Sequence, residues 1–124
     1  MATEVIVTYG PHFKRELKPL AKKFASLPDE LEHLATRLAG NPRLGTSLGK
    51  DCYKIRLAVR SKGGGKSGGM RVITYVVVRL RLGSDGVTTV YLASIYDKSE
   101  RENITDAQLK ALIAALNTST DPNP

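Results

Sequence analysis

The feature that most constrains this chain is a pair of strand-like runs in which basic residues alternate with apolar ones. Residues 52–81 read CYKIRLAVRSKGGGKSGGMRVITYVVVRLR, two β-patterned runs joined by a loop of glycine, lysine and serine. Successive side chains of a strand point to opposite faces of its sheet. In the first run the apolar residues share one face, and the basic residues share the other: Lys54, Arg56 and Arg60. The pattern predicts a sheet with a core face and a cationic face, which suits a polyanion such as nucleic acid.

Positive charge is concentrated in this part of the chain. Nine of the nineteen Lys and Arg residues lie between Lys50 and Arg81, where the one acid is Asp51. The net charge is +7 over 124 residues, whereas 41% hydrophobic and 25% charged residues are ordinary for a globular domain. We expect one domain over residues 1–116 and a disordered tail over 117–124, which is polar and contains proline.

Composition also narrows the class of protein. The single cysteine, Cys52, excludes an internal disulfide and fits a reducing cytoplasm. The first residues lack the basic region and apolar stretch of a signal peptide, and no apolar run reaches the roughly 20 residues of a membrane span. His12 and His33 lack a histidine or cysteine partner at helical spacing, so we expect no metal and no cofactor. A cytoplasmic protein without a membrane partner is predicted.

Local patterns predict an α+β fold with elements in the order β-α-α-β-β-β-α. A short strand over residues 4–9 precedes an amphipathic helix from about Phe13 to Phe24, which should be bent or split at Pro19. A second helix begins near Pro28 and ends at the sequence Gly-Asn-Pro. The two helices should form a hairpin.

The second half of the chain has the pattern of a sheet followed by a helix. A turn-rich link over residues 45–49 leads into three predicted strands, over about residues 52–60, 70–82 and 87–96. The C-terminal helix starts at a capping box formed by Thr105 and Gln108. We expect a compact, mostly antiparallel sheet with its helices on the apolar side, which leaves the cationic side open.

The loop SKGGGKSGG between the first two of these strands has two interpretations. It resembles the end of a phosphate-binding P-loop, but Arg60 stands where that motif needs its first glycine, and a strand rather than a helix follows. The loop is either a flexible hairpin tip or a mobile cationic segment in which Lys62 and Lys66 grip a phosphate backbone. The pattern does not decide between these two.

Lysine, arginine and tyrosine can together cleave RNA without a metal. Attack by the 2′-OH needs a group that takes its proton, cations that stabilise the phosphorane, and a proton donor for the leaving 5′-oxygen. A lysine among other cations has its pKa lowered toward neutrality, and arginine binds phosphate in a bidentate manner. Candidates recur at alternate strand positions, which puts the members of each pair on one face: Lys54 with Arg56, Arg71 with Tyr75, and Tyr96 with Lys98.

Three segments together resemble the RelE/ParE superfamily of bacterial toxins, most closely its HigB-type, RelE-like branch. They are DCYKIRL, the run GGMRVITYVV after the Lys/Gly loop, and VYLASIYDKSERENIT. The branch carries a KIR-type strand, a GKxGGxRxIYY-type run and a YxKxExxxLT-type run, and the similar segments occur here in the same order. The resemblance covers roughly residues 13–116.

The resemblance implies a compact, microbial-RNase-like α+β fold and the toxin half of a type II toxin–antitoxin pair. It also implies cleavage of mRNA in the ribosomal A site, with a cognate antitoxin as protein partner. Lys54 matches the first lysine of the catalytic strand, Arg56 stands at the second, and Arg71 matches the arginine that binds the scissile phosphate. Lys98 and Glu100 fall in the segment that continues Lys-Arg-Glu in RelE.

Two positions depart from the RelE pattern. Ser99 stands where RelE has a catalytic arginine, and Thr105 stands where RelE has the tyrosine that stacks on the base and assists proton transfer. Four residues are candidates to supply the missing proton-transfer function, and spacing does not choose among them: Tyr96, Tyr75, Lys62 and Lys66.

The leading hypothesis is a metal-independent, ribosome-dependent mRNA endonuclease, or mRNA interferase, that inhibits translation. Lys54 and Lys98 are the candidate proton-transfer groups. Arg56 and Arg71 would bind phosphate, and Tyr96 would stack on a base. A wider set of RNA-binding candidates comprises Arg60, Lys62, Lys66 and Tyr75. Two alternatives stay open, a ParE-like toxin that binds DNA gyrase without cutting RNA, and a degenerate member that binds RNA and antitoxin without cutting.

Overall fold

The structure is a computed structural model that describes residues 4–63, 69–80, 86–101 and 103–119. Within these ranges the chain forms five strands and three helices: β1 (Glu4–Tyr9), α1 (Pro11–Lys23), α2 (Leu27–Gly40), β2 (Thr46–Gly49), β3 (Cys52–Leu57), β4 (Met70–Arg79), β5 (Val87–Asp97) and α3 (Asp106–Ser119). The predicted α+β class is confirmed. None of the helices in these ranges is both long enough and apolar enough to cross a lipid bilayer.

The strands form one mixed sheet in the order β1-β5-β4-β3-β2. β1 pairs in parallel with β5, and every other neighbouring pair is antiparallel. The prediction of a mostly antiparallel sheet is therefore confirmed. β1 ends level with Leu92, so the last residues of β5 extend beyond it and are flanked by α1 instead.

One face of the sheet is covered by the helical hairpin of α1 and α2. Leu27, Leu31, Leu34 and Leu38 recur along one side of α2 at a spacing of three or four residues, as an amphipathic helix requires. They pack with Phe13 of α1 on side chains from β3, β4 and β5, all of them buried: Ile55, Leu57, Met70, Val72, Val76, Val90, Leu92 and Ile95. The predicted core face of β3 is thus correct.

The opposite face is covered in part by α3, and the prediction of an open cationic side is wrong. Leu109, Leu112 and Leu116 pack there against apolar residues of the central strands: Cys52, Ile73, Ala93 and Tyr96. The physical reason is that β4 and β5 are apolar on both faces, and a second apolar face requires its own cover. Each buried leucine contributes roughly 1.5–3 kcal/mol, so α3 is held firmly on this face.

The start of α3 agrees closely with its predicted sequence signal. The backbone N–H of Thr105 donates to Oε1 of Gln108 at 2.8 Å, and the backbone N–H of Gln108 donates to Oγ1 of Thr105 at 3.1 Å. This reciprocal pair is a capping box, which satisfies backbone donors that a helix start leaves free. Ile104 packs in the same cluster as Leu109, as a hydrophobic staple does.

Several boundaries differ from those predicted. Residues 46–49 were predicted as a link but form the edge strand β2, and β3 ends at Leu57 rather than near residue 60. α1 is one helix through Pro19, so it is not split there; the ring of Pro19 lies on the exposed side of the helix. α3 reaches Ser119, into the segment predicted as a tail, whose last residues 120–124 lie outside the described residues.

Candidate nucleic-acid interface

Three predicted site residues form a single row across the sheet. Arg56 of β3 pairs with Arg71 of β4, and Arg71 pairs in turn with Tyr96 of β5. Directly opposite residues on neighbouring strands have Cβ atoms about 4.5–5.5 Å apart. All three side chains belong to the face that α3 covers, because Ile73, two residues beyond Arg71, packs under that helix. We call Arg56, Arg71 and Tyr96 the arginine–tyrosine row.

Only one end of the arginine–tyrosine row is open to solvent. Arg56 is exposed, whereas Arg71 and Tyr96 each expose 5% of their surface. Nη1 of Arg71 donates to the backbone oxygen of Met70 at 3.3 Å. The guanidinium of Arg101 lies 4.3 Å from the centre of the Tyr96 ring, a cation–π contact that closes this end of the row.

The hydroxyl of Tyr96 is buried and has no hydrogen-bond partner among the described residues. Burial raises the pKa of this phenol, and the Glu16 carboxylate adds to the increase, while the guanidinium groups of Arg101 and Arg71 oppose it. A buried hydroxyl without a hydrogen-bond partner is unfavourable in a folded protein. Tyr96 is therefore placed as a neutral phenol beside two cations.

Lys54 lies two residue pairs along β3 from the arginine–tyrosine row, opposite Ile73. Its ammonium donates to Oδ1 of Asn103 at 3.2 Å, so the segment before α3 reaches over it. Lys98 is exposed in the turn after β5, and its backbone N–H donates to the oxygen of Gly69 at 3.2 Å. Because β5 ends at Asp97, strand alternation does not fix the side on which Lys98 lies, contrary to the predicted pairing with Tyr96.

Arg60 does not join this group, and the prediction that it shares a face with Lys54 and Arg56 is wrong. Nε of Arg60 lies 3.6 Å from Oε2 of Glu30 on α2, and the backbone N–H of Arg60 donates to the same oxygen at 2.9 Å. The alternation breaks because β3 ends at Leu57. Glu30 is nearly buried, and its carboxylate requires these partners.

Lys62 is committed to an ion pair within the protein. Its ammonium lies 3.4 Å from Oδ1 of Asp97, and both side chains are largely buried. The backbone N–H and the hydroxyl of Ser99 donate to the same oxygen at 2.9 and 2.8 Å. Ser99, which the sequence resemblance aligns with an arginine of RelE, thus binds Asp97. Lys66, the other loop lysine predicted to bind RNA, lies outside the described residues.

Glu16 of α1 contacts four residues, and the sequence analysis did not single it out. Its Oε1 accepts hydrogen bonds from the hydroxyl of Ser94 at 2.7 Å and the backbone N–H of Ile95 at 3.1 Å. Nε2 of His12 lies 3.2 Å from Oε1, and Nη2 of Arg101 lies 3.6 Å from Oε2. Glu16 thus accepts a backbone hydrogen bond at the edge of β5, beyond the end of β1. It also pairs with Arg101, the arginine that stacks on Tyr96.

Two surface clefts flank the covered face. A cleft of about 500 Å³ lies between α1 and the end of β5, with Lys23, Tyr96, Asp97 and Arg101 among its walls. A groove of about 400 Å³ lies on the far side, where Tyr75 meets α3. Tyr75, predicted to bind RNA, therefore lies away from the arginine–tyrosine row. Across the described ranges, no three His, Cys, Asp or Glu side chains are grouped so that they could hold a metal ion.

No protein-family model matches this chain, and no curated protein matches it. The resemblance to the RelE/ParE superfamily therefore depends on the sequence motifs alone and stays a prediction. What the geometry adds is independent of that resemblance. Arg56, Arg71 and Tyr96 lie in one row across three strands, and Lys54 lies near them on the same strand as Arg56.

Proposed function

We propose that this protein is a cytoplasmic toxin of the RelE type that cleaves ribosome-bound mRNA and is neutralised by an antitoxin. The observation that carries the proposal is the register that aligns Arg56, Arg71 and Tyr96 across three strands. Two guanidinium groups at neighbouring positions form a site for one phosphate, because each can donate two parallel hydrogen bonds to its oxygens. Burial of the charged Arg71 beside Tyr96 is costly to fold and suggests a function that needs it.

The proposed reaction is an internal transfer of the RNA phosphate. The 2′-oxygen attacks the adjacent phosphorus, the bond from phosphorus to the 5′-oxygen breaks, and a 2′,3′-cyclic phosphate and a 5′-hydroxyl are formed. Arg56 and Arg71 stabilise the charge of the phosphorane. Lys54 and Lys98 are the candidates that take the proton of the 2′-OH and return one to the 5′-oxygen. Tyr96 stacks on a neighbouring base.

We expect RNA to reach Arg71 and Tyr96 when Arg101 and Asn103, which lie over them and over Lys54, move aside. The contacts that hold these residues over the site lie at or near the surface: Lys54 with Asn103, and Arg101 with Tyr96. The leucines of α3 are buried more deeply, so the proposed opening involves the segment before α3 rather than the whole helix. RNA bound to the exposed Arg56 would favour the open state by differential affinity.

Cleavage in a reconstituted bacterial translation system tests this proposal, with primer extension to map the cuts. The wild-type protein is expected to cut a translated reporter mRNA and to leave the same transcript intact without ribosomes. Arg56→Ala is expected to lower the cleavage rate by about 10²–10³-fold, as the loss of a transition-state donor does. Arg37→Ala removes an exposed arginine from α2 and serves as the matched control. Equal cleavage by wild type and Arg56→Ala contradicts the assigned role.

The burial of Arg71 and Tyr96 favours a second candidate, a toxin that binds a protein target without cutting RNA. For the ParE-like alternative the target is DNA gyrase. The expected result is then inhibited supercoiling of plasmid DNA by purified gyrase, together with intact mRNA in the translation assay. Unimpaired supercoiling rejects this candidate.

A further inference from the structure

The groove beside the C-terminal half of α3 is separate from the arginine–tyrosine row. Its volume is about 400 Å³, and it is lined by Lys50, Tyr75, Lys110, Ile113, Ala114 and Asn117. We propose that this groove, named the α3 groove, binds one nucleotide of single-stranded RNA, with its base against Tyr75 and its phosphate at Lys50 and Lys110. The inference rests on the proposed RNA-cleaving function and adds to it a subsite away from the reacting phosphate.

Tyr75, which lines the α3 groove, belongs to an aromatic pair on the sheet face. Tyr75 and Tyr91 lie opposite each other on β4 and β5, with ring centroids 6.3 Å apart and ring planes inclined by 26°. Both side chains are half-buried, so each keeps an open part. Proteins that bind single-stranded RNA on a β-sheet use such rings as platforms on which bases stack.

Two lysines at the rim of the α3 groove share one carboxylate. Nζ of Lys50 lies 3.3 Å from Oδ1 of Asp106, and Nζ of Lys110 lies 3.7 Å from Oδ2. Two positive charges and one negative charge leave the rim with one net positive charge. Because exposed ion pairs contribute little to stability, a phosphate can replace the carboxylate at low cost.

The backbone that positions Lys50 is strained. Lys50 and Asp51 form the two-residue turn between β2 and β3, and their φ angles are 56° and 62°. Such turns favour Asn, Asp and Gly, because other residues rarely adopt a left-handed backbone, and Lys50 is therefore the unfavourable residue of this turn. Unfavourable residues in a strained turn often mark a functional site. In this turn, Lys50 lines the α3 groove.

A line of cations connects the α3 groove with the arginine–tyrosine row. Cys52 pairs with Tyr75, and Lys54 and Arg56 follow at alternate positions on the same face of β3. The distance along β3 from Cys52 to Arg56 is about 13 Å at the usual rise of a strand. The two sites are therefore close enough for one RNA strand to contact both, with Cys52 between them covered by α3.

Fluorescence anisotropy with labelled 2′-O-methyl oligoribonucleotides tests this inference, since the 2′-O-methyl group prevents cleavage. A uridine octanucleotide is expected to bind about tenfold more weakly to Tyr75→Leu, whereas Tyr75→Phe, which keeps the ring, binds as wild type. Lys110→Gln is expected to weaken binding several-fold. Lys18→Gln removes one exposed charge from α1 and should change the affinity little. Asp106→Asn frees both rim lysines and is expected to tighten binding.

The inference is overturned if Tyr75→Leu and Lys110→Gln both bind the octanucleotide as wild type does. When wild type nevertheless cleaves mRNA, the proposed function stands and the groove subsite alone fails. A wild-type protein that neither binds the octanucleotide nor cleaves mRNA refutes both. A different outcome is that a glutamate-rich peptide binds in a manner that depends on Lys110, while Lys110→Gln leaves the RNA affinity unchanged. That outcome assigns the α3 groove to an acidic protein partner and also refutes the inference. Lys110 and Asp106 are exposed, so their variants remain informative if Tyr75→Leu fails to fold.

Discussion

Arg56 and Arg71 lie directly opposite each other on β3 and β4, the first exposed and the second only 5% exposed. Like charges at opposing strand positions destabilise a sheet, and burial of one of them adds a desolvation cost. A phosphate between the two guanidinium groups would turn this repulsion into attraction on both sides. The pair is therefore arranged so that both guanidinium groups can bind one anion.

This relationship predicts that Arg56→Thr stabilises the protein while it abolishes RNA cleavage. Removal of the exposed like charge is expected to raise the free energy of unfolding by roughly 0.2–1 kcal/mol at low salt, and threonine keeps a good strand former there. Urea denaturation at low and high salt measures the effect, which should shrink as salt screens the charges. Arg79→Thr is the matched control, because Arg79 is exposed on β4 opposite Val87. A destabilised Arg56→Thr variant argues against the repulsion.

Replacement of Glu16 should destabilise the fold more than replacement of an exposed carboxylate. Glu16→Ala leaves the backbone N–H of Ile95 and the hydroxyl of Ser94 without their acceptor, which is expected to cost about 1–3 kcal/mol. Glu16→Gln keeps an acceptor and should cost less. Glu32→Ala, an exposed change on α2, should stay within about 0.5 kcal/mol. Chemical denaturation of the three variants checks the order, and equal losses for Glu16→Ala and Glu32→Ala contradict it.

The Asp97 carboxylate should contribute stability that depends on pH. Burial opposes its ionisation, but the two hydrogen bonds from Ser99 and the Lys62 ammonium outweigh burial and hold the pKa below its ordinary value of 3.8. The folded state therefore binds the proton less tightly than the unfolded state. The resulting stabilisation is fully present above the ordinary aspartate pKa and is lost as pH falls through the lower pKa of the folded state.

Asp97→Asn tests this dependence by comparison with wild type across pH. The variant is expected to be less stable at neutral pH, with a difference that narrows as the solution becomes more acidic than the ordinary aspartate pKa. Thermal unfolding from pH 7 downward measures the difference. Ser99→Ala should show the same trend more weakly, because it removes one of the two hydrogen bonds. A constant difference at every pH excludes the ion pair as its source.

Cys52 should report the movement of the segment that covers the site. The thiol lies under α3 with 1% of its surface exposed, and burial raises its pKa to about 11, aided by the Asp51 carboxylate and opposed by the Lys50 ammonium. Alkylation by iodoacetamide near pH 8 is expected to be slow in the native protein. Thr105→Ala removes the helix cap at a cost of about 0.5–2 kcal/mol, so the alkylation rate followed by mass spectrometry should rise several-fold. An unchanged alkylation rate means that the segment capped by Thr105 does not limit the access of iodoacetamide to Cys52.

Local signals in the sequence predicted much of the fold because they act over a few residues. The Thr105–Gln108 capping box, the leucine stripe of α2 and the alternation in β3 each depend on neighbours in the chain. β2 was missed because Thr-Ser-Leu-Gly, four residues long, has no clear alternation. The parallel pairing of β1 with β5 joins distant segments, and no local pattern encodes it.

The candidate site was predicted less completely, because its geometry depends on contacts between distant residues. Arg56, Arg71 and Tyr96 were correctly identified as strand residues, but the burial of Arg71 and Tyr96 depends on α3, which packs on the same face. The run VITYVVV of β4 is almost entirely apolar. Such a run predicts a strand that is buried on both faces. Arg60 and Lys62 bind Glu30 and Asp97, acids that are far away in the chain, so their basic character alone was misleading.

The most direct test of the central claim is the chemistry of the RNA ends that the protein leaves. Mass spectrometry of fragments from a translated mRNA distinguishes attack by the 2′-OH from metal-assisted hydrolysis by water. We predict 2′,3′-cyclic phosphate or 3′-phosphate ends with matching 5′-hydroxyl ends for wild type, and none above background for Arg56→Ala. Fragments with 5′-phosphate ends, or wild-type ends that persist in Arg56→Ala, would contradict cleavage at the arginine–tyrosine row.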